Sequence, residues 1–171
     1  TGAVKQGLAG AHVSMGNTGA VVGAATMGLK TLEGVRRPGI AIIAVLGGHP
    51  VTLLDMGANT APKPEHLVQY GAMGTVLARE VAGVKEPRVG LLNIGEEASK
   101  GTEFLRETHD LLASSGQRFI GNVEGNDLFR GVADVIVTDG FTGNVVLKLM
   151  EGFAEYLLKL FADELAVRKA P

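Results

Sequence analysis

Val135-Ile136-Val137-Thr138-Asp139-Gly140-Phe141-Thr142-Gly143-Asn144 reads as a buried strand that passes through a glycine turn into a helix. Similar Gly/Asn-rich turns, each where a strand ends or a helix begins, occur in four other places. They are Ser14-Met15-Gly16-Asn17-Thr18-Gly19-Ala20 and Leu54-Asp55-Met56-Gly57-Ala58-Asn59. The others are Leu92-Asn93-Ile94-Gly95-Glu96-Glu97-Ala98-Ser99-Lys100-Gly101 and Gly121-Asn122-Val123-Glu124-Gly125-Asn126-Asp127. In an open α/β sheet such turns gather at the carboxyl edge, where ligands bind. Glycine lets a backbone approach a ligand closely, and helix N-termini offer unpaired N–H groups that suit an anion. The pattern points to an enzyme for a phosphorylated or otherwise anionic small molecule.

Working outward, strands and helices alternate along most of the chain. Ala3 to Leu8 reads as a helix, and Ala11-His12-Val13-Ser14 as a short strand entering the first turn. Thr18 to Leu29 is a helix of small residues. Ile40 to Val45 and Val51 to Leu54 flank Gly47-Gly48-His49-Pro50, the signature of a hairpin. Pro62 and Pro64 precede a helix with Leu67, Val68, Met73, Val76 and Leu77 on its apolar side. Arg88 to Leu92 is a buried-type strand, and Thr102 to Ala113 is an amphipathic helix with Leu105, Leu111 and Leu112 inward. Phe119-Ile120 is a short strand, Val135-Ile136-Val137 a central one, and Thr142 to Val167 a long final helix. Such alternation predicts a three-layer α/β/α fold with a mostly parallel sheet, interrupted by one antiparallel hairpin.

Composition narrows the function classes. At 171 residues the chain is a single α/β domain that can bury roughly 70% of its unfolded surface. There is no Cys, so no disulfide framework, thiolate metal site or cysteine nucleophile. The net charge is −2 with scattered Lys and Arg, and aromatic residues are 5% with no Trp, so neither a nucleic-acid footprint nor a base-stacking platform is present. No apolar run is long enough to span a bilayer and no secretory signal opens the chain. The four histidines show no metal-ligand spacing, with His66 and His109 expected on exposed helix faces. No Gly-x-Ser-x-Gly elbow exists to make a covalent acyl-enzyme.

Each turn carries two readings. Ser14, Gly16, Asn17 and Thr18 form a strand-to-helix turn able to bind phosphate through backbone N–H groups and the helix dipole, or a plain N-cap. Its glycine spacing fits neither a P-loop nor a dinucleotide fingerprint. Asp55 and Asn59 flank Gly57, and an Asp at a strand end can bind a hydroxyl or a metal or orient a neighbour, although no second carboxylate is near in sequence to make a metal pair; the alternative is an Asx-turn. Lys100 is read at the start of a helix, where a cation opposes the dipole, and so as an anion ligand rather than a solvated loop residue. Thr142 and Asn144, after Asp139, offer a hydroxyl and an amide to developing negative charge, or cap the helix. The final helix has an apolar stripe of Val146, Leu149, Met150, Phe153, Leu157, Leu160 and Phe161, which suits core or dimer packing, or a membrane surface.

Taken together, the turns resemble those of the bacterial phosphate acyltransferase family, the acyl-ACP:phosphate transacylases of phospholipid synthesis. The resemblance rests on Ser14-Met15-Gly16-Asn17-Thr18-Gly19-Ala20, Leu32-Glu33-Gly34-Val35-Arg36-Arg37-Pro38, Leu53-Leu54-Asp55-Met56-Gly57-Ala58-Asn59, Val89-Gly90-Leu91-Leu92-Asn93-Ile94-Gly95-Glu96-Glu97 with Lys100-Gly101, Gly121-Asn122-Val123-Glu124-Gly125 and Asp139-Gly140-Phe141-Thr142-Gly143-Asn144-Val145-Val146-Leu147-Lys148. Met15 stands where the family usually has Ala, and Thr60-Ala61-Pro62 where it often has Val-Asp-Cys. The family's N-terminal Asp-Ala-Met-Gly-Gly-Asp turn and its C-terminal portion are absent from residues 1–171.

The resemblance implies a fold like that of isopropylmalate dehydrogenases and phosphotransacetylases. It also implies a homodimer, a cytoplasmic protein held peripherally at the membrane, and transfer of a fatty acyl group from acyl carrier protein to inorganic phosphate. The acyl phosphate would pass to a membrane glycerol-3-phosphate acyltransferase. No metal or cofactor is called for. Lys100 and Asn144 are expected at the reacting centre with Asp139 orienting them. Ser14, Gly16, Asn17, Thr18, Asp55, Asn59 and Thr142 are the expected substrate- or phosphate-binding residues, with Gly16, Asn17 and Thr18 holding the phosphate, and the acyl chain is expected along the final helix and its dimer mate. The rival readings are an acyl-CoA/phosphate transferase of phosphotransacetylase type, a glycine-reductase-type acyl phosphate component, a metal- and NAD-dependent decarboxylating dehydrogenase disfavoured by the lack of clustered aspartates, and a non-catalytic membrane- or carrier-binding module.

Overall fold

Gly47 and Gly48 both adopt positive φ, 57° and 84°, which only glycine reaches without strain. This two-residue turn folds the chain back and pairs β1 (Ala41–Leu46) with β2 (His49–Leu54) as the expected antiparallel hairpin. The structure is a computed structural model that describes residues 1–169, with side chains as far as Leu165. In chain order the other elements are α1 (Gly2–Lys5), α2 (Thr18–Leu29), α3 (Pro64–Glu80), β3 (Val89–Leu92), α4 (Glu103–Ser114), β4 (Phe119–Val123), a 3-10 turn (Gly125–Phe129), β5 (Val135–Val137) and α5 (Gly140–Lys169).

The strands form one sheet in the order β1-β2-β5-β3-β4. Every pair except β1·β2 is parallel. Alternation along the strands sorts the core into two layers. Leu54, Val89, Leu91, Val135 and Val137 meet Leu67, Tyr70 and Ala78 of α3 and Leu112 of α4 on one face. Val51, Leu53, Leu92, Val123 and Ile136 meet Leu128 and the first turns of α5 on the other. Burying each of the larger aliphatic side chains contributes about 2 kcal/mol.

Several expectations change. Ala11-His12-Val13-Ser14 forms no strand; it is exposed, with Val13 at 90%, because no neighbouring strand pairs with it. The first helix is a single turn, Gly2–Lys5. β4 extends through Gly121 and Asn122, so part of that turn is strand. α3 packs through Leu67, Tyr70, Gly71, Gly74 and Ala78, while Val76 is exposed. Small residues serve there because a Cβ on Gly74 would lie 2.5 Å from Val135 and 2.8 Å from Leu54.

The two helix histidines are not surface groups. His66 is buried, and His109 stands edge-on to Phe119, ring centroids 5.1 Å apart. The Nδ1 of His66 accepts a hydrogen bond from Lys63 N–H (3.0 Å). Burial, together with the positive charge of Arg37, lowers the His66 pKa below its usual value.

Candidate active site

Because β2, β5, β3 and β4 run parallel, their carboxyl ends leave the sheet at one edge. The turns that follow are therefore neighbours. Asp55 N–H donates to the Thr138 carbonyl (3.0 Å), and Asn93 N–H to the Val123 carbonyl (2.9 Å). The Asn122 amide donates to the Glu97 carbonyl at 2.8 Å, tying the end of β4 to the loop after β3.

The turn after β2 is held by a fully buried carboxylate. Asp55 Oδ1 accepts from the N–H groups of Ile40, Gly57 and Ala58 at 2.9, 3.2 and 2.9 Å. Its Oδ2 accepts from the backbone N–H of Asn59 at 2.8 Å and from its side-chain amide at 2.9 Å. The same Asn59 nitrogen lies 2.8 Å from both the Pro38 carbonyl and the Tyr70 hydroxyl. Burial, reinforced by the Asp55 charge, raises the Tyr70 pKa well above its ordinary value and keeps the phenol protonated. Asp55 and Asn59 thus use their polar atoms inside the protein, in an Asx-turn extended into a network.

This turn seats the start of α5. Gly140 N–H donates to the Asn59 carbonyl (2.7 Å), and Gly143 faces the Asp55 carbonyl so closely that no Cβ would fit. Asp139 precedes the helix and caps it: Oδ1 accepts from Phe141 and Thr142 N–H at 2.9 Å each, and Oδ2 accepts from the Thr142 hydroxyl at 2.7 Å. Capping starts α5 at Gly140, ahead of the expected Thr142, and occupies the Thr142 hydroxyl.

Asn144, one turn into α5, is exposed and stands over Gly57. A cleft of about 290 Å³ opens there, lined by Thr18, Gly57, Asn144, Lys148 and Glu151 among others. Three turns far apart in sequence therefore share one cavity. Thr18 is the first residue of α2, and neither it nor Gly19 has a partner for its backbone N–H. Asn17 caps this helix by accepting from Ala20 N–H (3.2 Å), and Ser14 Oγ accepts from Gly16 N–H (3.1 Å). Ser14, Gly16 and Asn17 are exposed and bonded locally.

Lys100 lies on the adjoining loop and does not line this cleft. It precedes α4 rather than opening it: Thr102 is the cap, accepting from Leu105 N–H. The Lys100 stem crosses Gly95, where a Cβ would come within 2.9 Å of it. The Asn93 amide donates to the Lys100 carbonyl (3.2 Å), while the N–H groups of Gly95, Glu96 and Glu97 carry no hydrogen bond. Asn122 Oδ1 is buried beneath this loop without a partner.

Lys148, not among the expected site residues, also lines the cleft. It falls on the Asn144 face of α5, four residues on, and its Nζ is 2.6 Å from Glu151 Oε2. That spacing was the available signal. Among the described residues, no three His, Cys, Asp or Glu side chains gather as metal ligands.

Residues 1–170 match the family described as fatty acid synthesis protein. The chain belongs to that family. It is 50% identical over 161 residues to the phosphate acyltransferase of Dehalococcoides mccartyi, covering 94% of this chain and 46% of that protein. To the Bacillus licheniformis phosphate acyltransferase it is 49% identical over 165 residues, covering 96% of this chain and 50% of that one. This member of the fatty acid synthesis protein family thus spans about half the length of the relatives it matches. A phosphotransacetylase from Streptococcus pyogenes has the same fold, with a TM-score of 0.68 at 19% identity over 90% of this chain and 53% of that chain. The EutD phosphotransacetylase from Staphylococcus aureus gives 0.65 at 18% identity, over 90% and 54% of the two chains. The expected phosphotransacetylase-like α/β fold is therefore the one found.

Proposed function

We propose that the protein transfers a fatty acyl group from the thioester of an acyl carrier protein to inorganic phosphate. The observation that carries this reading is the cleft where Thr18, Gly57 and Asn144 meet, in a chain half identical to phosphate acyltransferases. A phosphate oxygen attacks the thioester carbonyl carbon. The C–O bond forms, the C–S bond breaks, and the departing thiolate takes the proton that the phosphate gives up. Phosphate is already an anion at neutral pH, so the protein supplies position and charge stabilisation rather than a nucleophile.

In this account the free N–H groups of Thr18 and Gly19 at the start of α2 receive the phosphate, with the turn formed by Ser14, Gly16 and Asn17 holding that helix end in place. The Asn144 amide faces the oxyanion that develops on the carbonyl. Lys100 is the cation of the adjoining loop and closes on the anion when substrate is bound. Asp139 and Thr142 fix the helix that carries Asn144, and Asp55 and Asn59 fix the turn beneath it. The partners are acyl carrier protein and inorganic phosphate.

In the same reading the protein is a cytoplasmic homodimer that rests on a membrane surface and hands acyl phosphate to a membrane glycerol-3-phosphate acyltransferase, and the exposed apolar side chains of the outer part of α5 are what favours an interface there. Beyond Met150 its large apolar side chains leave the body of the domain: Phe153, Tyr156 and Phe161 are each more than half exposed. Among the described residues no helix is long and apolar enough to cross a membrane.

The direct experiment supplies long-chain acyl carrier thioester and labelled phosphate to the protein. Label appearing in an acyl phosphate supports the reading. Label transferred only with acyl-CoA favours a phosphotransacetylase-type donor, and flotation on liposomes with no labelled product favours a binding module.

A further inference from the structure

We propose that the apolar groove between α2 and α3 holds the hydrocarbon chain of the acyl group, and that Val22, Ala25 and Met73 set the chain length accepted. The inference rests on the acyl-transfer reading for its occupant and on the structure for its place.

The groove has a volume of about 360 Å³ and is lined mostly by aliphatic groups, among them Val21, Val22, Ala25, Leu29, Val35 and Met73. It continues the polar cleft. Thr18, Val22, Ala25 and Leu29 fall on one face of α2 at helical spacing, with Thr18 in the cleft and the others in the groove. On the opposite wall the consecutive residues Gly39 and Ile40 divide in the same way, Gly39 in the groove and Ile40 in the cleft. Thr26, the hydroxyl residue facing the groove from α2, donates its Oγ1–H to the Val22 carbonyl (2.8 Å) and so presents no unpaired donor.

From Thr18 to Leu29 the helix rises about 16 Å, which suits a long fatty chain and far exceeds an acetyl group. Beyond Met73 and Gly39 a second hollow of about 320 Å³ extends the path over Val76 and Leu77 of α3. This gives a purpose to the exposed Val76. It also moves the acyl site from the final helix, where it was expected, to the other end of the polar cleft. A polar head at Thr18 and Asn144 with a tail along α2 matches an acyl phosphate in polarity and shape.

The test uses saturated fatty acids from butyrate to palmitate as probes of the protein, and then acyl carrier thioesters of the same lengths as substrates. Each methylene buried in the groove should tighten binding by up to about fourfold until the groove is full. Ala25→Trp, which introduces the single Trp of the chain, and Val22→Trp should each make the plateau come several carbons earlier. They should also lower the palmitate-to-butyrate affinity ratio at least about tenfold. Melting curves identify a variant that fails to fold, and the other variant then decides. Affinity independent of chain length in the parent, or an unchanged ratio in the folded variants, overturns the proposal. So does a dimer that Ala25→Trp dissolves while the ratio stays fixed, since a second copy of the chain would then fill the groove. Graded binding without any acyl phosphate product keeps the groove and sinks the reaction. Product formed with an unchanged length preference in both variants keeps the reaction and sinks the groove.

Discussion

Gly143 of α5 lies directly against the carbonyl oxygen of Asp55, in a space that admits no side chain. This contact joins the turn after β2 to the helix after β5, and it sets where Asn144 stands. Gly143→Ala should therefore destabilise the protein although alanine is the better helix former by about 1 kcal/mol. The net cost expected is about 1–3 kcal/mol, read in urea unfolding, because overpacking a close backbone contact outweighs propensity.

Asp55 accepts five hydrogen bonds while wholly buried. Asp55→Asn puts an NH2 group among those donors. The expected loss is about 3 kcal/mol or more of folding stability. Tyr70→Phe removes a hydroxyl from the edge of the same network and should cost about 1 kcal/mol. Equal effects of the two substitutions in thermal unfolding would contradict the central place given to Asp55.

His66 should make stability pH-dependent. Its folded pKa is lowered, so the unfolded chain binds more protons at mildly acidic pH. The contribution is complete above the ordinary histidine value of about 6.5 and is lost as pH falls through the lower folded value. Melting temperature should fall between neutral and mildly acidic pH more steeply in the parent than in His66→Gln. The hydrogen bond from Lys63 N–H to Nδ1 requires the neutral ring, which is the same demand seen in geometry.

Arg88 and Asp134 clamp the opposite edge of the sheet, where β3 and β5 begin. Arg88 Nε and Nη2 donate to the Asp134 carboxylate at 2.9 and 3.0 Å, and Arg88 N–H donates at 2.8 Å. Burial alone would raise the Asp134 pKa, but the hydrogen bonds and charge of Arg88 hold it below the usual value. That stability is present above the unfolded carboxylate pKa and lost as pH falls through the folded one. Asp134→Asn should cost about 2 kcal/mol at neutral pH and leave the cleft's chemistry unchanged.

The parallel core was legible because its signals are local. Val135-Ile136-Val137 is apolar without a break, and Gly47-Gly48 permits a tight hairpin; both appear as expected. What sequence alone missed depended on partners. Ala11 to Ser14 has strand-like residues but no strand beside it. Lys100 seemed to open a helix, yet Gly101 has φ of 84° and the Thr102 hydroxyl makes the cap two residues later. His66 is buried where an exposed helix face is expected, on a helix that is tied to a distant segment: Gln69 accepts from Arg36 N–H at 3.0 Å and donates to the Gly34 carbonyl at 2.8 Å. At the candidate site the turns were visible as sequence, but which side chains were spent inside the protein was not. Asp55, Asn59, Asp139 and Thr142 are bonded to the fold, whereas Asn144 and Lys100 are exposed.

Lys100 carries a separate prediction. Lys100→Ala should raise the phosphate concentration needed for half-maximal acyl phosphate formation and slow the reaction on the order of 10²-fold. Folding stability should move by less than about 0.5 kcal/mol, since the side chain is exposed. Lys100→Arg should restore part of the rate if the positive charge is what matters.

The most direct test is the rate of acyl phosphate formation by Asn144→Ala at saturating phosphate and long-chain acyl carrier thioester, with the variant's melting temperature matched to the parent. An exposed residue that only decorates α5 would leave the rate within about twofold of the parent, and that result would contradict the account. An amide that meets the developing oxyanion predicts a fall in kcat of about 10²-fold or more, with the fold intact.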